Sequence, residues 1–132
     1  MKASEFVERF PELDPIRLRW HCSYYDGPID GIAEYDGKLC WFLTFDAKFD
    51  ECHQDTRYIL YPLTSDEIKF ELRRQSLFEK YVGTHTTYDF DNCRNMWKSL
   101  KPQEMWYNFY NNKEPRLLDY TERRPIGWFR PW

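Results

Sequence analysis

The sequence predicts an α+β domain, in which a four-stranded antiparallel meander carries helices mainly on one face. Three observations carry that expectation. Apolar and polar residues alternate from Ile16 to Tyr24. An Asp-Gly pair joins two apolar runs at residues 36 and 37. A capping signal at Thr64 opens a long stretch of helical periodicity. The alternative is a small, partly closed β-barrel with the C-terminal tail as a fifth strand. At 132 residues and 16.4 kDa the chain is expected to form one domain over residues 1–132, long enough to bury a core without disulfide or metal staples.

The elements follow in chain order. Ser4 is placed to cap a short helix carrying Phe6, Val7 and Phe10, which Pro11 and Pro15 end. In the first strand Ile16, Leu18, Trp20, Cys22 and Tyr24 are expected on one face, and Arg17, Arg19, His21 and Ser23 on the other. Asp26-Gly27-Pro28 supplies a turn, and Gly31 to Tyr35 a second strand. Asp36-Gly37 suits a two-residue hairpin, because both residues can take positive φ.

The third strand, Lys38 to Phe45, is apolar on both faces, so it is expected at the centre of the sheet and covered on both sides. Asp46 to Thr56 reads as a polar connection rich in acid, and Arg57 to Leu63 as a fourth strand. With only two valines in the chain, aromatic rings take the place of β-branched residues in these strands.

Thr64 with Glu67 matches a capping box, and the helix it opens extends to about Val82, with Gly83 placed to end it. The apolar arc of this helix is too wide for one-sided packing and contains Glu71 and Arg74, which must pair with each other or line a cleft. Pro102 to Asn111 predicts a second helix with Met105, Trp106, Phe109 and Tyr110 as its stripe. The tail from Arg123 to Trp132 is too apolar to be inert. It either docks on its own domain or binds a partner, and a homodimer through its rings is a further expectation.

Composition narrows the function. The net charge is −3, but Asp26 to Glu67 carries ten acidic against three basic residues, whereas Ile68 to the end carries twelve basic against eight acidic. The two halves either attract each other across solvent or leave an acidic lobe for a basic partner. Basic pairs such as Arg73/Arg74 and Arg123/Arg124 are scattered rather than gathered in a stripe, which argues against nucleic acid as a partner. The longest uncharged apolar run, Leu39 to Phe45, is far too short to cross a membrane. No secretory signal precedes Glu5 and Glu8, so a cytoplasmic location with free thiols is expected.

Chemical motifs are sparse. Cys22, Cys40, Cys52 and Cys93 lack zinc-knuckle spacing. Cys22 and Cys40 read as small buried hydrophobes rather than metal ligands or disulfide partners, and Cys52 and His53 could form an incidental site with Cys93 or His85; no metal or cofactor is predicted. His85, in an expected loop after the long helix, is the leading acid–base candidate, with Glu71 and Asp26 as possible partners. No nucleophile elbow, phosphate loop or complete calcium loop is present, so an enzyme is the less favoured class.

The surplus of rings, ten Tyr, ten Phe and six Trp, suits recognition. The favoured expectation is therefore a small acidic protein-binding or inhibitory module, of immunity or anti-defence type, presenting Tyr24, Tyr25, Asp26, Trp41, Asp50, Glu51 and Asp55 to a basic protein. The alternative is a pocket between the sheet and the long helix, lined by Tyr24, Trp41, Glu71, Arg74 and His85, that binds or transforms a small polar molecule. Either suits a monomer or a homodimer.

Overall fold

The computed structural model describes residues 2–24, 28–49, 57–89, 94–112, 115–116 and 118–130, with the backbone alone at 21–24, 28, 84–89 and 94–100. Its elements are α1 (Ala3–Arg9), β1 (Arg17–Tyr24), β2 (Pro28–Tyr35), β3 (Lys38–Thr44), α2 (Phe45–Phe49), β4 (Tyr58–Pro62), α3 (Ser65–Tyr81), β5 (Gly83–Asp89), β6 (Arg94–Leu100), α4 (Gln103–Tyr110), a single 3₁₀ turn (Tyr120–Glu122) and β7 (Gly127–Phe129). Five strands form one open antiparallel sheet in the order β1-β2-β3-β4-β7, and β5 and β6 form a separate hairpin. The class is α+β as expected. The tail does supply a fifth strand, but the sheet stays open and is not the barrel considered as the alternative.

Residue chemistry accounts for these elements. Asp36 and Gly37 adopt φ of 53° and 74°, the paired left-handed conformation that the β2–β3 turn requires. The Thr64 backbone N–H donates to Glu67 Oε1 at 2.8 Å and the Glu67 N–H to Thr64 Oγ1 at 3.2 Å, closing the capping box on α3. By contrast α1 begins at Ala3, with Lys2 as its uncapped N-cap, so Ser4 lies inside the helix rather than before it.

The sheet has two buried faces. On one, Trp20, Ile32, Trp41 and Tyr61 stand in register across β1 to β4 and pack against Phe6, Phe45, Phe78 and Phe109, one ring from each of the four helices. On the other, Leu18, Ala33, Cys40, Phe42, Tyr58, Leu60 and Phe129 pack with Leu13 and Ile126. β3 is central and covered on both sides, as its sequence requires. Helices therefore occupy one face.

Strand β1 departs from simple alternation. Leu18 pairs with Ala33 and Trp20 with Ile32, so Arg19 is an extra residue in a bulge. The bulge moves Trp20 to the helix-bearing face while Leu18 remains on the opposite one, whereas the period-two reading placed both on the same face. A second shift follows at Cys22, between His21 and Ser23.

The segment around His85, expected as a loop, is strand β5, which pairs with β6 and lies against β1 and α3. The start of the expected polar connection after β3 is helical, as α2. The described part of the apolar tail docks on its own chain, with Trp128 and Phe129 buried; Pro131 and Trp132 lie outside the described residues. The outer edge of β7 is closed by residues 11–13, where the Leu13 N–H donates to the Trp128 carbonyl at 2.7 Å and the Trp128 N–H to the Pro11 carbonyl at 3.1 Å.

Candidate functional site

Three of the residues singled out in the sequence, Trp41, Glu71 and Arg74, converge between the sheet and α3. They are organised by Arg116, a residue the sequence did not single out. Glu71 faces inward from the middle of α3 and is 1% exposed. Arg116 Nε donates to Glu71 Oε1 at 2.5 Å and its Nη2 to Oε2 at 3.4 Å. Arg74, one turn along α3, brings Nη1 to 3.8 Å from Glu71 Oε2, and Asp30 of β2 brings Oδ2 to 4.0 Å from Arg116 Nη1.

Two arginines and two carboxylates thus balance each other where an isolated charge would be costly. The Arg116 guanidinium lies 5.3 Å from the ring centres of both Trp41 and Tyr120, so the rings stabilise its charge through their faces. Burial works against the Arg116 cation, but its hydrogen bond to Glu71 and the charges of Glu71 and Asp30 outweigh that and raise its pKa. The Tyr120 phenol is pushed up to about 12 by burial first, and then by the adjacent Glu71 carboxylate.

A second pair fastens the same region. Arg123 Nη1 and Nη2 donate to the two oxygens of Glu67 at 2.6 Å each, and Nη1 also reaches the Pro62 carbonyl at 2.9 Å. That contact lowers the Glu67 carboxyl to about 2, with the Arg123 hydrogen bond as the main cause. The Arg123 guanidinium stands 5.1 Å from the Tyr120 ring, so Tyr120 contacts both arginines. Asp30–Arg116 and Glu67–Arg123 thus join the acidic and basic halves of the chain through partly buried pairs.

This constellation is a fastening. The space beside Glu71, walled by Ile32, Leu39, Leu63, Ile68 and Leu72, is too small for a water molecule. Trp41 is 5% exposed and Arg74 is likewise buried, which removes both from any surface offered to a macromolecule and corrects the expectation that Trp41 is presented. The Trp41 Nε1 and Arg74 Nε atoms meet no hydrogen-bond acceptor among the described residues.

The other candidates are not brought to this cluster by anything the structure describes. His85 is placed only by its backbone, opposite Trp97 in the β5–β6 hairpin, and Tyr24 only by its backbone, opposite Pro28 at the end of β1. Tyr25, Asp26, Asp50, Glu51 and Asp55 lie outside the described residues, as do Cys52, His53 and Cys93. Among the described residues no group of three or more His, Cys, Asp or Glu is placed to hold a metal, and no helix is long and apolar enough to cross a membrane. Cys40 is a buried free thiol whose pKa is raised by burial.

The described surface carries its own signal. α4 buries Phe109 against Phe78 of α3 and leaves Tyr107 63% exposed, with Tyr110 and Met105 also at the surface. The N-terminal end of α4 is held by the Trp106 Nε1 donating to the Lys101 carbonyl at 3.0 Å, so these side chains stand on a positioned helix. Compared with protein-family models, with curated proteins and with solved structures, the chain matches none.

Proposed function

We propose that this chain is a small protein-binding module of inhibitory type that engages a partner with a basic and partly apolar surface. The observation that carries the reading is the pair of exposed tyrosines one turn apart on α4, Tyr107 and Tyr110, on a helix held in place by Phe109 and Trp106. Tyrosine supplies broad contact area with few torsions to freeze, and its hydroxyl tolerates both water and a partner. The buried charges are compatible with the same reading, because Glu71 and Arg74 are held inside the fold, with Arg116 on the Glu71 carboxylate. The basic character of the partner follows from the excess of acid between Asp26 and Glu67.

The test is kinetic. With the partner in hand, association is expected to slow steeply as salt rises, and Tyr107→Ala to speed dissociation by about tenfold with the fold intact, within the range of a moderate interface hot spot. An association rate indifferent to salt removes the basic partner, and unchanged dissociation in Tyr107→Ala removes α4 as the binding surface.

A further inference from the structure

We propose that the groove between α3 and α4 holds an extended, uncharged segment of a partner protein, anchored by one apolar side chain. Its walls are two pairs of residues about one turn apart, Leu77 and Tyr81 on α3 and Asn108 with Asn112 at the end of α4, and Phe109 lies between them. Phe109 is buried and set edge-on against Phe78 at 5.2 Å, so this floor is fixed by the core.

The volume selects the group that enters. The groove encloses about 230 Å³, more than the roughly 150 Å³ that holds a benzene ring and less than the roughly 300 Å³ at which sites for whole small molecules begin. One leucine, methionine or phenylalanine side chain fits it.

The rim selects what that side chain is attached to. A carboxamide carries both a donor and an acceptor, so an asparagine can bond the N–H and the C=O of one extended residue as a neighbouring strand does. Asn108 and Asn112 are exposed and lie about 6 Å apart along the helix axis, close to the repeat of roughly 6.6 Å between alternate residues of an extended chain. Asn112 Nδ2 donates to the Asn108 carbonyl at 3.3 Å, which orients this carboxamide along the row while its oxygen and second N–H are not used in that bond. Neutral main chain is also the electrostatic complement of this surface. Met105 to Asn112 contains no charged residue, although 31% of the whole chain is charged, and interface centres are depleted of charge in the same way. Lys80, whose Nζ stands 5.0 Å from the Tyr81 ring centre, repels a basic residue beside the anchor. The groove shares no side chain with the Tyr107 and Tyr110 pair, so either site can fail without the other.

The test is an NMR titration of the isotope-labelled full chain with the capped peptide acetyl-Thr-Ser-Leu-Ser-Thr-amide. Three relatives serve as controls: the peptide with alanine at its centre, the peptide N-methylated at its three central residues, and acetyl-leucinamide. The parent peptide is expected to give saturable shifts at Leu77, Tyr81, Asn108 and Asn112, with a Kd of about 1 mM. Each control is expected to bind at least about fivefold more weakly, for want of the anchor or of the main-chain bonds. Asn108→Ala, at an exposed helical position, should keep the native spectrum, weaken the parent peptide about fivefold and leave the N-methylated peptide unchanged. The proposal is overturned if the parent peptide gives no saturable shifts at these residues, if any control binds as tightly, or if Asn108→Ala binds the parent peptide as the wild type does. Equal binding of acetyl-leucinamide would make the groove a small-molecule site instead.

Discussion

At the residue scale, Arg116 matters most, because it is the cation that makes a buried Glu71 tolerable. Arg116→Met is expected to destabilise the fold by about 3–5 kcal/mol, since it removes the bidentate partner of a carboxylate that is 1% exposed. Chemical denaturation of Arg116→Met, Glu71→Gln and the double variant should show a coupling of about 1–3 kcal/mol, and strictly additive losses would dissolve the pair. Glu67 makes a separate prediction. Its carboxyl lies at about 2 in the folded chain against an ordinary value near 4.5, so its contribution is complete above about pH 4.5 and lost as the pH falls towards 2. Arg123→Met should flatten that part of an acid-unfolding curve, and an unchanged acid limb would show that the pair contributes nothing to stability. The sequence revealed half of the cluster: Glu71 and Arg74 on an apolar arc demanded partners. Nothing in it singled out Arg116, because a partner 45 residues beyond Glu71 leaves no mark in local periodicity.

At the element scale, the local rules succeeded wherever one short segment contained the whole cause. The capping box of α3, the Asp36-Gly37 turn and the central position of β3 are each dictated by adjacent residues. The bulge at Arg19 was not legible, since it depends on which β2 residues oppose β1 rather than on β1 itself. The β5–β6 hairpin was missed because Gly83-Thr84-His85-Thr86-Thr87-Tyr88 has no apolar alternation to mark it as a strand. Strand β7 depends on a close approach of backbones. A Cβ at Gly127 would stand 2.4 Å from the Pro11 carbonyl oxygen and 2.8 Å from Leu13 Cγ, so Gly127→Ala must displace main chain. It is expected to cost about 1–3 kcal/mol in thermal or denaturant unfolding and to speed amide exchange at Leu13 and Trp128. Wild-type stability in that variant would mean the N-terminal segment does not close this edge.

At the scale of the whole molecule, a sheet buried on both faces and arginines laid on aromatic rings explain how an aromatic-rich chain places many of its rings inside. Trp20, Phe42, Tyr58, Phe78 and Phe129 are consumed by the core, and Arg57, Arg116, Arg123, Arg124 and Arg130 lie against rings at its margins. Aromatic surplus alone therefore overstated the recognition surface. Trp41, one of the rings the sequence favoured for it, is internal, whereas on α4 Tyr110, which the sequence assigned to a core-packing stripe, and Tyr107, which it did not single out, are exposed. That division could not be read from periodicity, because Met105, Trp106, Phe109 and Tyr110 share one stripe while only part of it meets α3. The central claim is that this remaining surface binds a protein. Native mass spectrometry of the gently purified chain, beside its Tyr107→Ala variant, tests it most directly. The account predicts a stoichiometric protein partner on the wild-type chain that is lost from a folded Tyr107→Ala variant; a wild-type chain that carries no protein, or a partner retained equally by the variant, would contradict it.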